Sequence, residues 1–214
     1  MTPDAVANYL KQHPEFFEEY AEFLSTIFIP HPHGGRAISI NERQILALRE
    51  KARKLESKLR ELIEFGEEND SIGEKLHRLV IEFIAARDLD SVVAVLEFNL
   101  HEDFAVPHVA LRLWPQNASS NLSEFAPVSA EARDFAESLT APYCNTHAVV
   151  DTGSWFGDEA ARLRSFAYVP LRSERAFGLL VLASEDPERF YPEMGTLYLR
   201  RIGELAAGAL SARA

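Results

Sequence analysis

A heptad register runs unbroken through the second quarter of the chain, through Ile45, Leu48, Ala52, Leu55, Leu59, Leu62, Gly66, Asn69, Gly73, Leu76, Val80 and Phe83, spaced alternately by three and four residues. A strict seven-residue repeat keeps one stripe of a helix facing a partner helix. The pattern therefore predicts a homodimer through the long helix, with the rest of the chain carried as a side-by-side pair. With Ile45 at a and Leu48 at d, the flanking g and e positions of the first half are Gln44, Lys51, Lys58 and Arg49, Glu56. Lys51 of one helix can meet Glu56 of a parallel partner. Farther along the flanks turn apolar, with Ile63, Phe65, Ile72, Leu79 and Ile84. The buried stripe then becomes too wide for a two-stranded coil, so the helix from about residue 70 is expected to lie against the following domain or in a four-helix bundle with the partner's equivalents. Gly66, Asn69 and Gly73 loosen the seam, as packing accommodations or as a register-fixing joint.

The 214 residues, 47% of them hydrophobic, can fill one core plus a helical extension. Apolar runs are broken by charge before they reach bilayer length, and acidic Asp4 and Glu15 stand where a signal peptide would be basic. The expectation is a soluble, cytoplasmic protein without a membrane segment. A single cysteine, Cys144, excludes an internal disulfide and a thiolate-rich zinc site. The net charge of -11 is uneven: residues 41–64 hold 7 basic against 5 acidic side chains, whereas residues 65–105 hold 3 against 10. Such a field argues against direct nucleic-acid binding, which needs clustered Lys and Arg.

Pro3 and Asp4 suit the start of a short helix, and Pro14 opens a second that carries Phe16, Phe17, Tyr20 and Phe23. This aromatic hairpin is expected to dock on the coil or on the partner. Pro30 to Gly35 cannot continue a helix, and Ser39 or Asn41 can cap the long one. A helix from about Asp90 to Asp103 leads to an alternating strand, His108 to Trp114, with Val109, Leu111 and Leu113 on one face and Arg112 on the other. A weaker strand at Leu122–Val128, a helix at Ala130–Leu139, a short strand at Ala141–Asn145, a hairpin of Ser165–Leu171 with Phe177–Ser184, and a helix from Pro192 to Ser211 follow. The fold class is α+β: an antiparallel sheet with flanking helices and a loop-roofed cavity, resembling the GAF class. The domains divide as 1–40 (hairpin and loop), 41–70 (coiled-coil dimerisation helix) and 71–214 (GAF-like domain).

Several strings are specific enough to carry a resemblance. His13-Pro14-Glu15-Phe16-Phe17, Gly35-Arg36-Ala37-Ile38-Ser39, Pro142-Tyr143-Cys144, Ser165-Phe166-Ala167, Val169-Pro170-Leu171 and Asp186-Pro187-Glu188-Arg189-Phe190 are similar to blocks of the proteobacterial domain of unknown function 484 family. The likeness covers nearly the whole chain. Asn145 departs from it, since the family often has Gly there. The resemblance implies a GAF-like fold and no established activity, and gene neighbourhoods in the family suggest a tyrosine recombinase as a possible protein partner. It supplies no catalytic residues and implies no cofactor.

The residues themselves point to a small-molecule pocket more than to chemistry. Trp155 and Phe156, between Gly153 and Gly157, give either a planar apolar wall for a ligand or a plug for the chain's own core, and Arg112 can pair either with an anionic ligand or with a carboxylate of the chain. Tyr143, Cys144 and His147 complete the candidate ligand-binding set. Cys144, His147 and Asp151 read poorly as a nucleophile and its base, because they are neighbours in sequence while working pairs usually meet from separate elements. His31 and His33 lack a third ligand, so no metal site is expected there. The Asn-Lys, Phe and Asp-Glu signature of cyclic-nucleotide GAF domains is absent, as are a phosphate-binding loop, a zinc-protease helix and a nucleophile elbow. The expected function is a non-enzymatic regulatory module that senses a small molecule, the alternative being a ligand-free scaffold that recruits a protein partner.

Overall fold

The computed structural model describes residues 2–29, 38–114 and 123–213, which divide into two compact units, 1–67 and 68–214. In the first unit, α1 (Pro3–Gln12) starts at Thr2, whose hydroxyl accepts from the Ala5 N–H at 3.4 Å, and ends in Lys11, both favourable to the helix dipole. Pro14 then opens α2 (Glu15–Glu19), and α3 (Ala21–Thr26) follows. Phe16 stacks on Tyr20 with 4.7 Å between ring centroids, while Tyr9, Phe17 and Phe23 stay about half exposed. A two-residue ladder pairs β1 (Phe28–Ile29) with β2 (Ile38–Ser39). The Pro30–Gly35 stretch lies outside the described residues.

The long helix forms as its periodicity requires: α4 runs without interruption from Ile40 to Ala85. Every residue from 43 to 71 that it presents is exposed or nearly so in the single chain. The register changes use along the helix. Leu55, Leu59 and Leu62 are 58–66% exposed, whereas Leu76, Leu79 and Phe83 are buried in the core of the second unit. The end of the heptad run therefore packs on its own domain, the first of the two arrangements expected for it. Asn69, a d position, accepts a hydrogen bond from the Tyr198 hydroxyl at 2.7 Å, so this seam polar group is engaged within the chain.

The second unit continues with α5 (Leu89–Glu102), capped by the Asp88 carboxylate on the Ser91 N–H at 2.8 Å, then β3 (His108–Leu113), α6 (Ala130–Ser138), β4 (Tyr143–Asn145), β5 (Ser165–Arg172), β6 (Ala176–Ser184) and α7 (Leu197–Ser211). The four strands form one antiparallel sheet in the order β3-β6-β5-β4. This is the expected α+β class. β6 lies between β3 and β5 and is buried on both faces, as its unbroken apolar run foretold.

Strand alternation divides the core into two layers. One layer receives Leu111, Leu113, Val169, Leu171, Leu180 and Leu182, covered by α5, α7 and the end of α4. The other receives Phe166, Tyr168, Leu179, Val181 and Ala183, covered by α6 and by the segment between β4 and β5. α7 approaches the sheet so closely that a Cβ at Gly203 would stand 2.5 Å from Val169 Cγ1. Only glycine fits that contact.

Beyond the break at Tyr20 that divides the helix expected after Pro14 into α2 and α3, two elements differ from expectation. The region read as a strand at Leu122–Val128 forms a 3-10 turn over Ser123–Phe125 instead, which turns Glu124 inward; Leu122 is outside the described residues. The closing helix begins at Leu197 and not at Pro192, because the chain first makes a turn, with the Met194 N–H on the Tyr191 carbonyl, and Gly195 breaks the run. Among the described residues no helix is long and apolar enough to cross a membrane.

Candidate functional site on the β3 face

Arg112 projects from β3 into the layer roofed by the β4–β5 segment, because its ladder partner Leu179 points there too. A 3-10 turn over Gly153–Trp155 sets Trp155 above it, and the guanidinium carbon lies 5.2 Å from the indole centroid. That is a cation–π geometry. One Arg112 nitrogen donates to the carbonyl of Leu111 at 2.8 Å, and its remaining hydrogens have no acceptor among the described residues. Burial pulls the Arg112 guanidinium below its ordinary value, and the Glu124 carboxylate works against that shift. Glu124 is itself buried and accepts from the Ser123 hydroxyl at 2.8 Å. Burial, and then the charge of Glu124, raises Glu97 on α5 above the usual carboxylate range. The site is thus one half-buried cation, stacked on an indole, with the buried Glu124 carboxylate acting on its charge.

The structure brings together only part of the set read from the sequence. Arg112 and Trp155 meet, and Phe156 packs into the same layer. Tyr143 stands on β4, the opposite edge of the sheet from β3. Three strand spacings, about 14 Å, separate those edges. Tyr143 packs edge-on against Phe135, 6.1 Å away. Cys144 points through the other face, into the layer covered by α7. His147 is exposed. The sequence missed Glu97 and Glu124. Glu97 was visible as an acid between Leu96 and Phe98, but nothing local signalled that Glu124 would be turned inward.

Cys144 has no imidazole or carboxylate against its sulfur among the described residues, and burial pushes its thiol up to about 11. A thiol so placed is protonated near neutrality and shielded from reagents. A disulfide reagent at pH 8 is therefore expected to modify the native protein at least about a hundredfold more slowly than the unfolded chain. Equal rates in native buffer and in denaturant would show the sulfur to be accessible.

The layer under the indole roof is filled by side chains. Tyr168, Leu179 and Val181 beneath it are fully buried, and Trp155 and Phe156 pack onto them. A separate small cavity of about 200 Å³ lies between α7 and β5, bordered by Thr140, Val169, Arg172, Arg200 and Gly203. Arg172 is occupied there, bonding the Glu137 carboxylate at 3.1 Å and the Glu137 carbonyl at 2.8 Å.

An antiparallel sheet covered on both faces and entered by a long helix defines an α+β domain without a recognisable reaction centre among its described residues. The chain belongs to the family described as "Protein of unknown function, DUF484", whose sequence pattern matches residues 1–212. It is 26% identical over 209 residues to an uncharacterized protein, YigA, of Salmonella typhimurium, covering 92% of this chain and 86% of that one. The YigA protein of Escherichia coli K12 is likewise 26% identical, over 210 residues. Among solved structures, the native GAF domain of the potassium sensor histidine kinase KdpD from Escherichia coli aligns at 16% identity with a TM-score of 0.36, over 65% of this chain and 93% of that one. The α+β assignment itself rests on the strand order and the helical cover described above.

Proposed function

We propose that the chain is a non-enzymatic regulatory module that works as a homodimer, in which a small anionic molecule recognised at Arg112 and Trp155 alters the sheet domain and the change reaches the long helix through α7. The observation that carries this reading is the bonding of α7 to α4 at both ends. Tyr198 donates to Asn69, and at the other end Arg213 donates to the carbonyls of Phe83 at 2.8 Å and Ala86 at 3.0 Å. A shift of α7 against the sheet is therefore mechanically a shift of α4. Arg112 supplies unspent donors beside an aromatic plate, the chemistry suited to a carboxylate or phosphate.

Thermal melting against a panel of carboxylate and phosphate metabolites tests it. A ligand at a hundred times its dissociation constant stabilises by about 2.7 kcal/mol, which corresponds to about 5 to 10 °C for a chain of this size. Arg112→Ala is expected to abolish the shift. If no compound moves the transition, or Arg112→Ala responds as the wild type does, recognition at this face is refuted.

A second reading, a ligand-free scaffold, is favoured by the exposed aromatic residues Tyr9, Phe17, Tyr20 and Phe23 of the N-terminal unit. Solvent-facing rings at this density mark contact surfaces. Under that reading, deleting residues 1–30 removes a protein partner while Trp155→Ala does not.

A further inference from the structure

Three potential ligand side chains converge at the mouth of the β3–β6 ladder, from elements far apart in sequence. His108 is the first residue of β3 and lies opposite Ala183. Glu185 follows β6, two residues beyond that partner and so on the same face. Glu159 comes from the 3-10 turn over Gly157–Arg162 that covers this edge. One ring nitrogen of His108 and one oxygen of each carboxylate lie within 4.8 Å of one another. Arg162, one turn after Glu159, donates to Glu159 at 3.2 Å and reaches Glu185 at 3.7 Å. The half-buried His108 ring has no hydrogen bond or ion pair among the described residues.

We propose that His108, Glu159 and Glu185 form a binding site for a divalent cation of the zinc type, with Arg162 as the resident counter-charge that the ion displaces. The donor set is one imidazole and two carboxylates, which leaves a coordination position for water. Imidazole selects zinc and its transition-metal neighbours over calcium and magnesium, which take oxygen alone. Metal–ligand bonds of about 2.0–2.2 Å place neighbouring donors about 3 to 3.5 Å apart, so the groups must close by about an ångström. Both glutamates are exposed, and a rotamer change suffices. The consequence is local: the ion ties the turn that follows Trp155 and Phe156 to the sheet edge, and so fastens the roof of the second core layer. The inference does not depend on a ligand at Arg112.

Calorimetric titration of the full chain with Zn²⁺ after removal of adventitious metal tests it, with Co²⁺ absorption as a spectroscopic check of the imidazole ligand. One equivalent per chain is expected. His108→Ala should weaken binding at least about tenfold, and Glu185→Gln, an exposed change that spares the strand, should do the same. Arg162→Gln should tighten binding, because it removes the competing cation. Hydrogen exchange over residues 157–162 should slow with Zn²⁺ in the wild type and not in His108→Ala. Zn²⁺ binding that is the same in His108→Ala as in wild type would place the ion on other histidines and overturn the site. So would an Arg162→Gln variant that binds no tighter than the wild type.

Discussion

Replacing Leu55 and Leu59 together with Asp is expected to convert a species of about twice 24.1 kDa into one of 24.1 kDa in light scattering at micromolar concentration. These two residues occupy d and a positions in the half of α4 whose stripe finds no cover among the described residues of its own chain: Leu55 is 59% and Leu59 58% exposed. A helix this apolar along one edge, with neighbours Ile45, Leu48 and Leu62 likewise exposed, is poorly stable in water unless another helix covers it. Burying a leucine contributes about 1.5 to 3 kcal/mol, and a symmetric pair loses four such burials in the double variant. Even after discount for ordering, about 6 kcal/mol shifts a dissociation constant by roughly four orders of magnitude. Asp also lowers helix propensity, by at most about 0.7 kcal/mol per site. Lys54→Asp, on the outer face, is the control for that effect and should keep the larger mass; its ion pair with Glu50 is exposed and contributes little. A wild-type chain with one protomer's mass, or a double variant with the unchanged larger mass, would falsify the seam.

The same helix shows what a sequence can and cannot reveal. Leu55, Leu59 and Leu62 are indistinguishable in pattern from Leu76 and Phe83, yet the first three face solvent in the single chain and the last two fill its core. Periodicity reports which stripe is apolar, not what covers it. The β5–β6 hairpin was legible because two apolar runs flank the three-residue Ser173–Arg175 loop, and each residue's face follows from alternation. The order of strands was not, since β6 inserts between β3 and β5 through long-range pairing. That order decides the candidate site. It sends Tyr143 to the far edge from Arg112, and alternation sends Cys144 through the sheet, so residues adjacent in sequence, Tyr143 and Cys144, serve different layers. Arg112 and Trp155 do meet, because a polar residue on the mixed face of an edge strand and an aromatic residue in the covering segment share one layer.

Tyr168→Ala should produce the largest loss of stability of any single substitution under the roof. Tyr168 is 0% exposed, stacks 6.3 Å from Phe166, meets Phe135 edge-on at 5.3 Å, and accepts from the Val149 N–H at 3.1 Å. Removing a buried ring costs about 3 to 5 kcal/mol, expected as a fall in melting temperature of about 10 °C or more. Tyr168→Phe isolates the hydroxyl: it keeps the ring but leaves the Val149 N–H without its acceptor, a loss of about 1 to 3 kcal/mol. The pH dependence separates these effects further. Burial raises the Tyr168 hydroxyl above its ordinary 10.0, and its hydrogen bond from Val149 only partly opposes that shift. The folded state therefore holds this proton more tightly than the unfolded chain, so the contribution is complete below pH 10 and declines as pH rises through the folded value. Wild type should lose stability there more steeply than Tyr168→Phe. A Tyr168→Phe variant as stable as wild type, with the same alkaline profile, would mean that the segment carrying Trp155 rests loosely on the sheet and that the layer beneath it opens to solvent.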